Sequence, residues 1–106
     1  MSRFIIDIDG VITTKTKWSI MDTRLRLKKM FLNMKPNWNV IKRINQLKSE
    51  GHTIVLHTSR LWHDYEVTVE WLKNHHVYYD TLVMAKPLGD FYVDDKNMLV
   101  EDFLDG

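Results

Sequence analysis

Four short apolar segments, the first three of them separated by stretches with helical periodicity, most constrain the fold of this chain. Each is rich in β-branched or aromatic residues, which favour extended strands, and a nearly continuous apolar run suits a strand covered on both faces. The segments are Arg3 to Ile8, Thr53 to Thr58, Thr81 to Met84 and Phe91 to Val93. Strands alternating with helices predict an α/β fold, a three-layer Rossmann-like parallel sheet with right-handed crossovers and helices on both faces.

Helical patterns occupy the first two intervals between these segments. A short helix is predicted over Asp22 to Met34. A second is predicted to begin after Asn37, a plausible cap, and to end near Gly51, which suits the left-handed position past a last turn. A third is predicted over Trp62 to His75. The 106 residues contain no repeat and no Gly, Ser or Pro-rich linker, so we expect a single domain over residues 1–106.

The composition excludes several classes of protein. The chain has no cysteine, which rules out disulfides, thiolate zinc sites and a cysteine nucleophile. No apolar segment is long enough to span a bilayer, and Met1 leads almost directly into the first predicted strand. We therefore expect a cytoplasmic protein with no signal peptide and no membrane partner.

Residues 13–36 form a basic insert between the first predicted strand and the second predicted helix. From Lys15 to Lys35 there are seven Lys and Arg residues and one Asp, a local charge of about +6 in a chain whose formal charge is +1. Such a flap would attract an anionic polymer or help to cover a phosphosugar, with Trp18 and Trp38 available for stacking on a sugar or base. The alternative is a solvated helix face whose aliphatic stems pack on the body of the protein.

Polar and charged residues follow all four predicted strands. In a parallel sheet the carboxyl ends of the strands meet at one edge, where ligands bind near the point at which strand order reverses. Unrelated surface residues have no reason to gather there, so their convergence indicates a functional site. The residues are Asp7, Asp9 and Gly10, then Thr58, Ser59 and Arg60, then Lys86, then Asp94 and Asp95.

These residue types suit phosphoryl chemistry. Mg²⁺ commonly uses one or two carboxylates with phosphate oxygens, which Asp7 with Asp94 or Asp95 would supply. Lys86 would offset the repulsion between a phosphate dianion and the carboxylates, while Thr58 and the amides of the following turn would hold phosphoryl oxygens. One carboxylate can attack phosphorus, and Asp9 can protonate the leaving oxygen and later deprotonate water.

The stretch FIIDIDGVITT, with Thr58, Lys86-Pro87 and Asp94-Asp95, resembles the four motifs of haloacid dehalogenase-like phosphohydrolases. The resemblance implies that Asp7 is the nucleophile, Asp9 the general acid and base, Thr58 a phosphoryl ligand, and Lys86 the group that neutralises an aspartyl-phosphate. It implies Mg²⁺ as cofactor, held by Asp7, Asp94, Asp95 and the Asp9 backbone carbonyl. Gly10, Ser59 and Arg60 would contact the substrate phosphate.

Two smaller groups within that family are the most similar. GHTIVLHTSR and KPLGDFYVDDKNMLVEDFL resemble capsular-polysaccharide biosynthesis phosphatases, and Thr58-Ser59-Arg60 resembles the Ser-Gly-Arg of polynucleotide kinase-phosphatases. The chain has little room for the family's specificity cap, so the resemblance implies a capless, open site. Such a site would act on a macromolecular phosphate end or be covered by a second subunit of a homo-oligomer.

The sequence thus predicts a Mg²⁺-dependent phosphomonoester phosphatase, with a sugar phosphate or related metabolite as substrate. A nucleic-acid 3′-phosphate end is one alternative, and a catalytically silent binding module that uses the basic segment is another. Individual residues also have structural alternatives. Asp7 and Asp9 could be turn formers, Asp94-Asp95 could cap a final helix, and Arg60 could pair with Asp64 or Glu66 at the surface. His57 is expected to pack on the face of the sheet opposite to Thr58.

Overall fold

A computed structural model describes residues 1–15 and 22–106 and shows a sheet of three parallel strands. The strands are β1 (Arg3–Asp7), β2 (Thr53–His57) and β3 (Thr81–Val83), in the order β1-β2-β3. Three of the four predicted strands are therefore present, and all pairs are parallel as predicted.

The register brings the carboxyl ends of the strands level with one another. Asp7, the last residue of β1, lies opposite His57, the last residue of β2, and His57 lies opposite Val83, the last residue of β3. Residues that follow the three strands therefore leave the sheet along one edge, which is where the sequence predicts the site.

The fourth predicted strand does not form. Phe91 to Val93 belong to an exposed segment with no regular structure, and Val93 is 99% exposed. An isolated strand has no stability without a neighbour to bond and a surface to cover, and a run of three apolar residues cannot show by itself that either exists. Tyr92 is held instead by its own loop, where its hydroxyl accepts from the Gly89 N–H and donates to the Pro87 carbonyl.

Helices occupy the predicted intervals. They are α1 (Arg24–Leu32), α2 (Trp38–Ser49), α3 (Tyr65–Asn74) and α4 (Val100–Asp105), with one turn of 3₁₀-helix at Trp62–Asp64. Asn37 stands at the start of α2 as predicted, but its side chain makes no capping hydrogen bond. Gly51 follows that helix with φ of +93°, a conformation that L side chains adopt at a cost. Among the described residues, no helix is both long and apolar enough to cross a membrane.

The helices of residues 1–15 and 22–106 pack on one face of the sheet, so the three-layer prediction is corrected to helices on one face for this part of the chain. Ile6, Ile54 and Leu56 point into a core shared with all four helices, whereas Ile5, on the opposite face, is 62% exposed. Because the strands are neighbours in sequence order, each right-handed crossover turns the same way and places α2 and α3 on the same side. Helices on both faces need a reversal of strand order, which the described strands do not have.

The two ends of the basic insert lie side by side, so the insert leaves the body of the protein and returns to it at the same place. The Thr14 N–H donates to the Lys35 carbonyl (2.9 Å), and the Asn37 N–H donates to the Ile12 carbonyl (2.7 Å), so the two ends of the insert are joined. Helix α1 lies within it and packs on α3 and the turn before it, where Arg24 makes a bidentate ion pair with buried Asp64 (2.6 and 3.0 Å). Lys17 and Trp18, predicted parts of the flap, lie outside the described residues.

Candidate active site

A solvent-accessible carboxylate ends β1. The Asp7 side chain is 35% exposed, and its Oδ1 accepts a hydrogen bond from the Ile8 N–H (3.0 Å). The other oxygen, Oδ2, lies 3.4 Å from the Lys86 ammonium. The structure thus pairs an accessible nucleophilic atom with the cation that the sequence predicts beside it.

Lys86 is positioned by the backbone that follows β3. Its N–H donates to the Thr58 carbonyl (2.9 Å), and the preceding Ala85 N–H donates to the Arg60 carbonyl (2.7 Å). Ala85 has a φ of +59°, an uncommon conformation for a residue with a Cβ, which lets the chain turn back toward β1. The Lys86 ammonium also lies over the ring of Tyr92, 4.1 Å from its centroid, a cation–π contact that the sequence did not predict.

A wide turn over Ile8–Ile12 separates the two acids of the first motif. The Thr13 N–H closes the turn on the Ile8 carbonyl (3.0 Å), and Gly10 has a φ of +84° within it. The Gly10 N–H donates to the Thr13 hydroxyl (3.3 Å), so in this structure it supports the turn. As a result Asp9 leaves the side of the sheet occupied by Asp7 and reaches the residues after β2.

Asp9 accepts hydrogen bonds on both of its carboxylate oxygens. The buried Thr58 hydroxyl donates to Oδ2 (3.1 Å) and accepts from the Arg60 N–H (3.1 Å). Arg60 donates from Nε to Oδ2 (3.2 Å) and from Nη2 to Oδ1 (2.7 Å). Bidentate pairs of this kind hold a carboxylate in a defined orientation.

The Arg60 side chain is too deeply buried to contact an incoming phosphate. Its side chain is 1% exposed, its Nη1 donates to the Thr68 hydroxyl (3.0 Å), and its guanidinium lies 3.9 Å from the centroid of the Phe31 ring. The surface alternative for Arg60 is not observed either, because Asp64 pairs with Arg24. Ser59, between Thr58 and Arg60, is half-buried at the same strand end.

Asp94 and Asp95 lie on the exposed segment between β3 and α4. Both are exposed, and Asp94 Oδ1 accepts from the Lys96 N–H (2.9 Å), which lowers the pKa of Asp94 below its ordinary value. Within residues 1–15 and 22–106, no three His, Cys, Asp or Glu side chains come together as a metal-binding group. The predicted Mg²⁺ ligands are therefore not assembled in this arrangement. Helix α4 begins at Val100, so neither acid caps it.

His57 lies beside the site rather than in the core. In-register residues of parallel strands point to the same face, so His57 shares the open face of the sheet with Asp7. Partial burial and the positive charge of Lys86 lower the pKa of His57, while Asp7 acts in the opposite direction. The sequence shows that a histidine precedes Thr58, but its neighbour on β1 is known only once the strands are paired.

The fold is shared with solved structures. No family model matches the chain, and no curated protein sequence matches it. A crystal structure of a target protein from Vibrio cholerae is 26% identical, covers 98% of this chain and 88% of that one, and has a TM-score of 0.76. The chain is therefore an α/β protein with the same overall architecture as that target.

Two structures of the Pnkp1/Rnl/Hen1 complex, one described as an RNA repair complex, also share the fold. They are 20% and 21% identical over 89% and 86% of this chain, each with a TM-score of 0.63. This chain spans 30% and 27% of those chains, less than a third of their length.

Proposed function

We propose that this protein is a phosphatase that hydrolyses phosphomonoesters through an aspartyl-phosphate on Asp7. The observation that carries the proposal is the accessible Asp7 carboxylate 3.4 Å from Lys86, with Asp9 held close by at the same edge of the sheet. The similarity in fold to complexes that contain Pnkp1, a polynucleotide kinase-phosphatase, is consistent with a phosphatase.

Asp7, Asp9 and Lys86 have distinct roles in the proposed reaction. An Asp7 oxygen attacks phosphorus, the bond to the leaving oxygen breaks, and Asp9 gives that oxygen a proton. Lys86 offsets the negative charge that gathers at Asp7 during attack. Asp9 then takes a proton from water, which attacks the acyl phosphate and releases inorganic phosphate and free Asp7.

Magnesium remains part of the proposal although its predicted ligands are apart. The ion would supply positive charge to the phosphoryl oxygens, and Asp7, Asp94 and Asp95 are the residues proposed to hold it. The connection from β3 to α4 carries both later acids on an exposed segment, so binding would require their carboxylates to come together with that of Asp7.

Replacement of Asp7 tests the proposed reaction. Asp7→Asn keeps the size of the side chain and removes its nucleophilic anion, so we expect hydrolysis of 4-nitrophenyl phosphate to fall by at least about 10³-fold. Asp90→Asn, the same change at an exposed position, serves as the control and should keep wild-type activity. Wild-type protein without activity, or an Asp7→Asn variant that keeps it, would overturn the proposal. In the first of these cases, the silent binding module would be the better interpretation.

The class of substrate is a separate question. Arg26, Lys28 and Lys29 are exposed on α1, and the exposed Trp62 ring packs on Tyr65, so nucleic-acid ends stay an alternative to the proposed sugar phosphates. Turnover of sugar phosphates should be compared with turnover of a 3′-phosphorylated oligonucleotide at two salt concentrations. If the oligonucleotide is hydrolysed faster than the sugar phosphates, and added salt slows its hydrolysis, the substrate is a nucleic-acid end.

A further inference from the structure

Arg60 is a buried cation whose donors are almost fully used. An arginine carries five N–H donors, and four of them have partners in Asp9, Thr68 and the Met34 sulfur. A guanidinium buried to this extent has a large desolvation cost unless such partners offset it. The placement of Arg60 is therefore tied to the Asp9 carboxylate more closely than to any external ligand.

Asp9 is left with one acceptor position that these residues do not use. An ionised carboxylate has about four lone-pair positions. Thr58 and Arg60 Nε take two of them on Oδ2, and Arg60 Nη2 takes one on Oδ1. The remaining position on Oδ1 is the one available to exchange a proton with a leaving group or with water.

Residues of the basic insert contact the guanidinium of Arg60. Phe31, from α1, stacks on the guanidinium, and Met34, which follows α1, places its sulfur 3.2 Å from Nη2. Met34 is itself fixed, because its carbonyl accepts from the buried Trp71 indole N–H (2.8 Å). Residues of the insert thus line one side of the buried site that contains the Arg60 guanidinium.

We propose that Arg60 is a positioning residue that aims Oδ1 of Asp9 at the leaving-group oxygen and transmits the position of the insert to Asp9. The inference rests on the proposed function, since proton transfer by Asp9 belongs to that reaction. It differs from a phosphate contact because Arg60 acts through Asp9 and does not touch substrate. If Asp9 is misaligned, proton transfer to the leaving-group oxygen becomes slower. This lowers the rate of hydrolysis most when the leaving group is poor.

Two aryl esters of similar shape separate positioning from general damage. Phenyl phosphate has a poorer leaving group than 4-nitrophenyl phosphate, so it depends more on protonation. Arg60→Lys keeps the charge and loses the two-point contact with Asp9. We expect kcat to fall by roughly tenfold more for phenyl phosphate than for 4-nitrophenyl phosphate, with KM little changed. In an Asp9→Asn background, Arg60→Lys should cause no further differential loss.

Arg24→Lys is the matched control. Arg24 makes a second bidentate pair with an aspartate, Asp64, at the first residue of α1, seven residues before Phe31, and it contacts neither Asp9 nor Arg60. Its replacement should leave the ratio of the two rates at the wild-type value. Equal losses on both esters for Arg60→Lys, or a further differential loss in the Asp9→Asn background, would overturn the inference. An inactive wild-type protein would instead overturn the proposed function itself.

A second variant keeps the test valid if Arg60→Lys does not fold, which urea unfolding would reveal. Phe31→Leu retains an apolar side chain and removes the ring from the face of the guanidinium. We expect the same bias against phenyl phosphate at about threefold, smaller because the ion pair is intact. A wild-type ratio of rates in Phe31→Leu would refute the transmission from the insert to Asp9.

Discussion

At the scale of single residues, the two acids of the first motif have different neighbours although one residue separates them. Asp7 is accessible and faces Lys86, whereas Asp9 is clamped by Thr58 and Arg60. The wide turn with Gly10 at positive φ produces this division. The sequence predicted distinct roles for the two acids. Nothing in it indicated that the Arg60 guanidinium would form a bidentate ion pair with Asp9.

His57 offers a direct measurement of the charges at the site. Burial and Lys86 hold its pKa below the ordinary value, so the imidazole is neutral over more of the acidic range than in an unfolded chain. Because the unfolded chain binds this proton more readily, the contribution of His57 to stability decreases as pH falls through the ordinary histidine range. An NMR titration should show a higher pKa for His57 in Lys86→Met and a lower one in Asp7→Asn.

The exposed His63 provides an internal reference in those spectra. A His57 resonance that does not respond to either change would contradict the placement of His57 beside Asp7 and Lys86.

At the scale of secondary-structure elements, the basic insert is the element whose contacts were predicted least well from the sequence. The sequence predicted its helix and its charge, yet the contacts that matter are apolar and internal. Leu27 and Phe31 are buried while the basic side chains of α1 are exposed, which matches the alternative of a solvated face over an apolar one. The helix is thus amphipathic, and its buried side reaches Arg60.

The start of β3 is fastened to β2 and α2 by Asp80. The Lys48 ammonium (2.5 Å) and the Ile54 N–H (2.8 Å) both donate to this carboxylate, and these bonds lower its pKa. A lowered carboxyl pKa stabilises the fold above the ordinary carboxyl range, and that stability is lost as pH falls through the folded-state value. We therefore expect Asp80→Asn to lower the urea midpoint at neutral pH and to have a diminishing effect in acid.

Asp90→Asn is the matched control for that measurement, since Asp90 is exposed on the loop after β3. It should leave the midpoint unchanged at both pH values. A midpoint difference for Asp80→Asn that is constant with pH would mean that the lost contact is not electrostatic.

At the scale of the whole molecule, the segment from Leu88 to Leu99 lies between β3 and α4, with the ring of Tyr92 against the Lys86 ammonium. It carries exposed apolar side chains, among them Phe91 and Val93, while α4 beyond it is anchored by a hydrogen bond from Arg43 Nε to the Phe103 carbonyl (3.0 Å). The segment is therefore held at both ends and bears the two acids proposed for Mg²⁺ between them.

Magnesium should order this segment if Asp94 and Asp95 are ligands. We expect Mg²⁺ to slow hydrogen exchange at the amides of residues 90–97 and to stimulate hydrolysis, and EDTA to reverse both effects. The double variant Asp94→Asn with Asp95→Asn should lose both responses, whereas Asp90→Asn should keep them. Exchange that is indifferent to Mg²⁺ would exclude these acids as ligands in the proposed site.

The sequence alone determined the three parallel strands, the helices between them and the approach of Asp7 to Lys86, because periodicity and turn residues act locally and parallel strands bring their carboxyl ends to one edge. Tertiary structure alone decided that the helices share one face, that Phe91 to Val93 pair with no neighbour, and that Arg60 is buried against Asp9 and Phe31. Those outcomes depend on contacts between segments far apart in the chain, where burial and charge are settled by packing and not by local pattern.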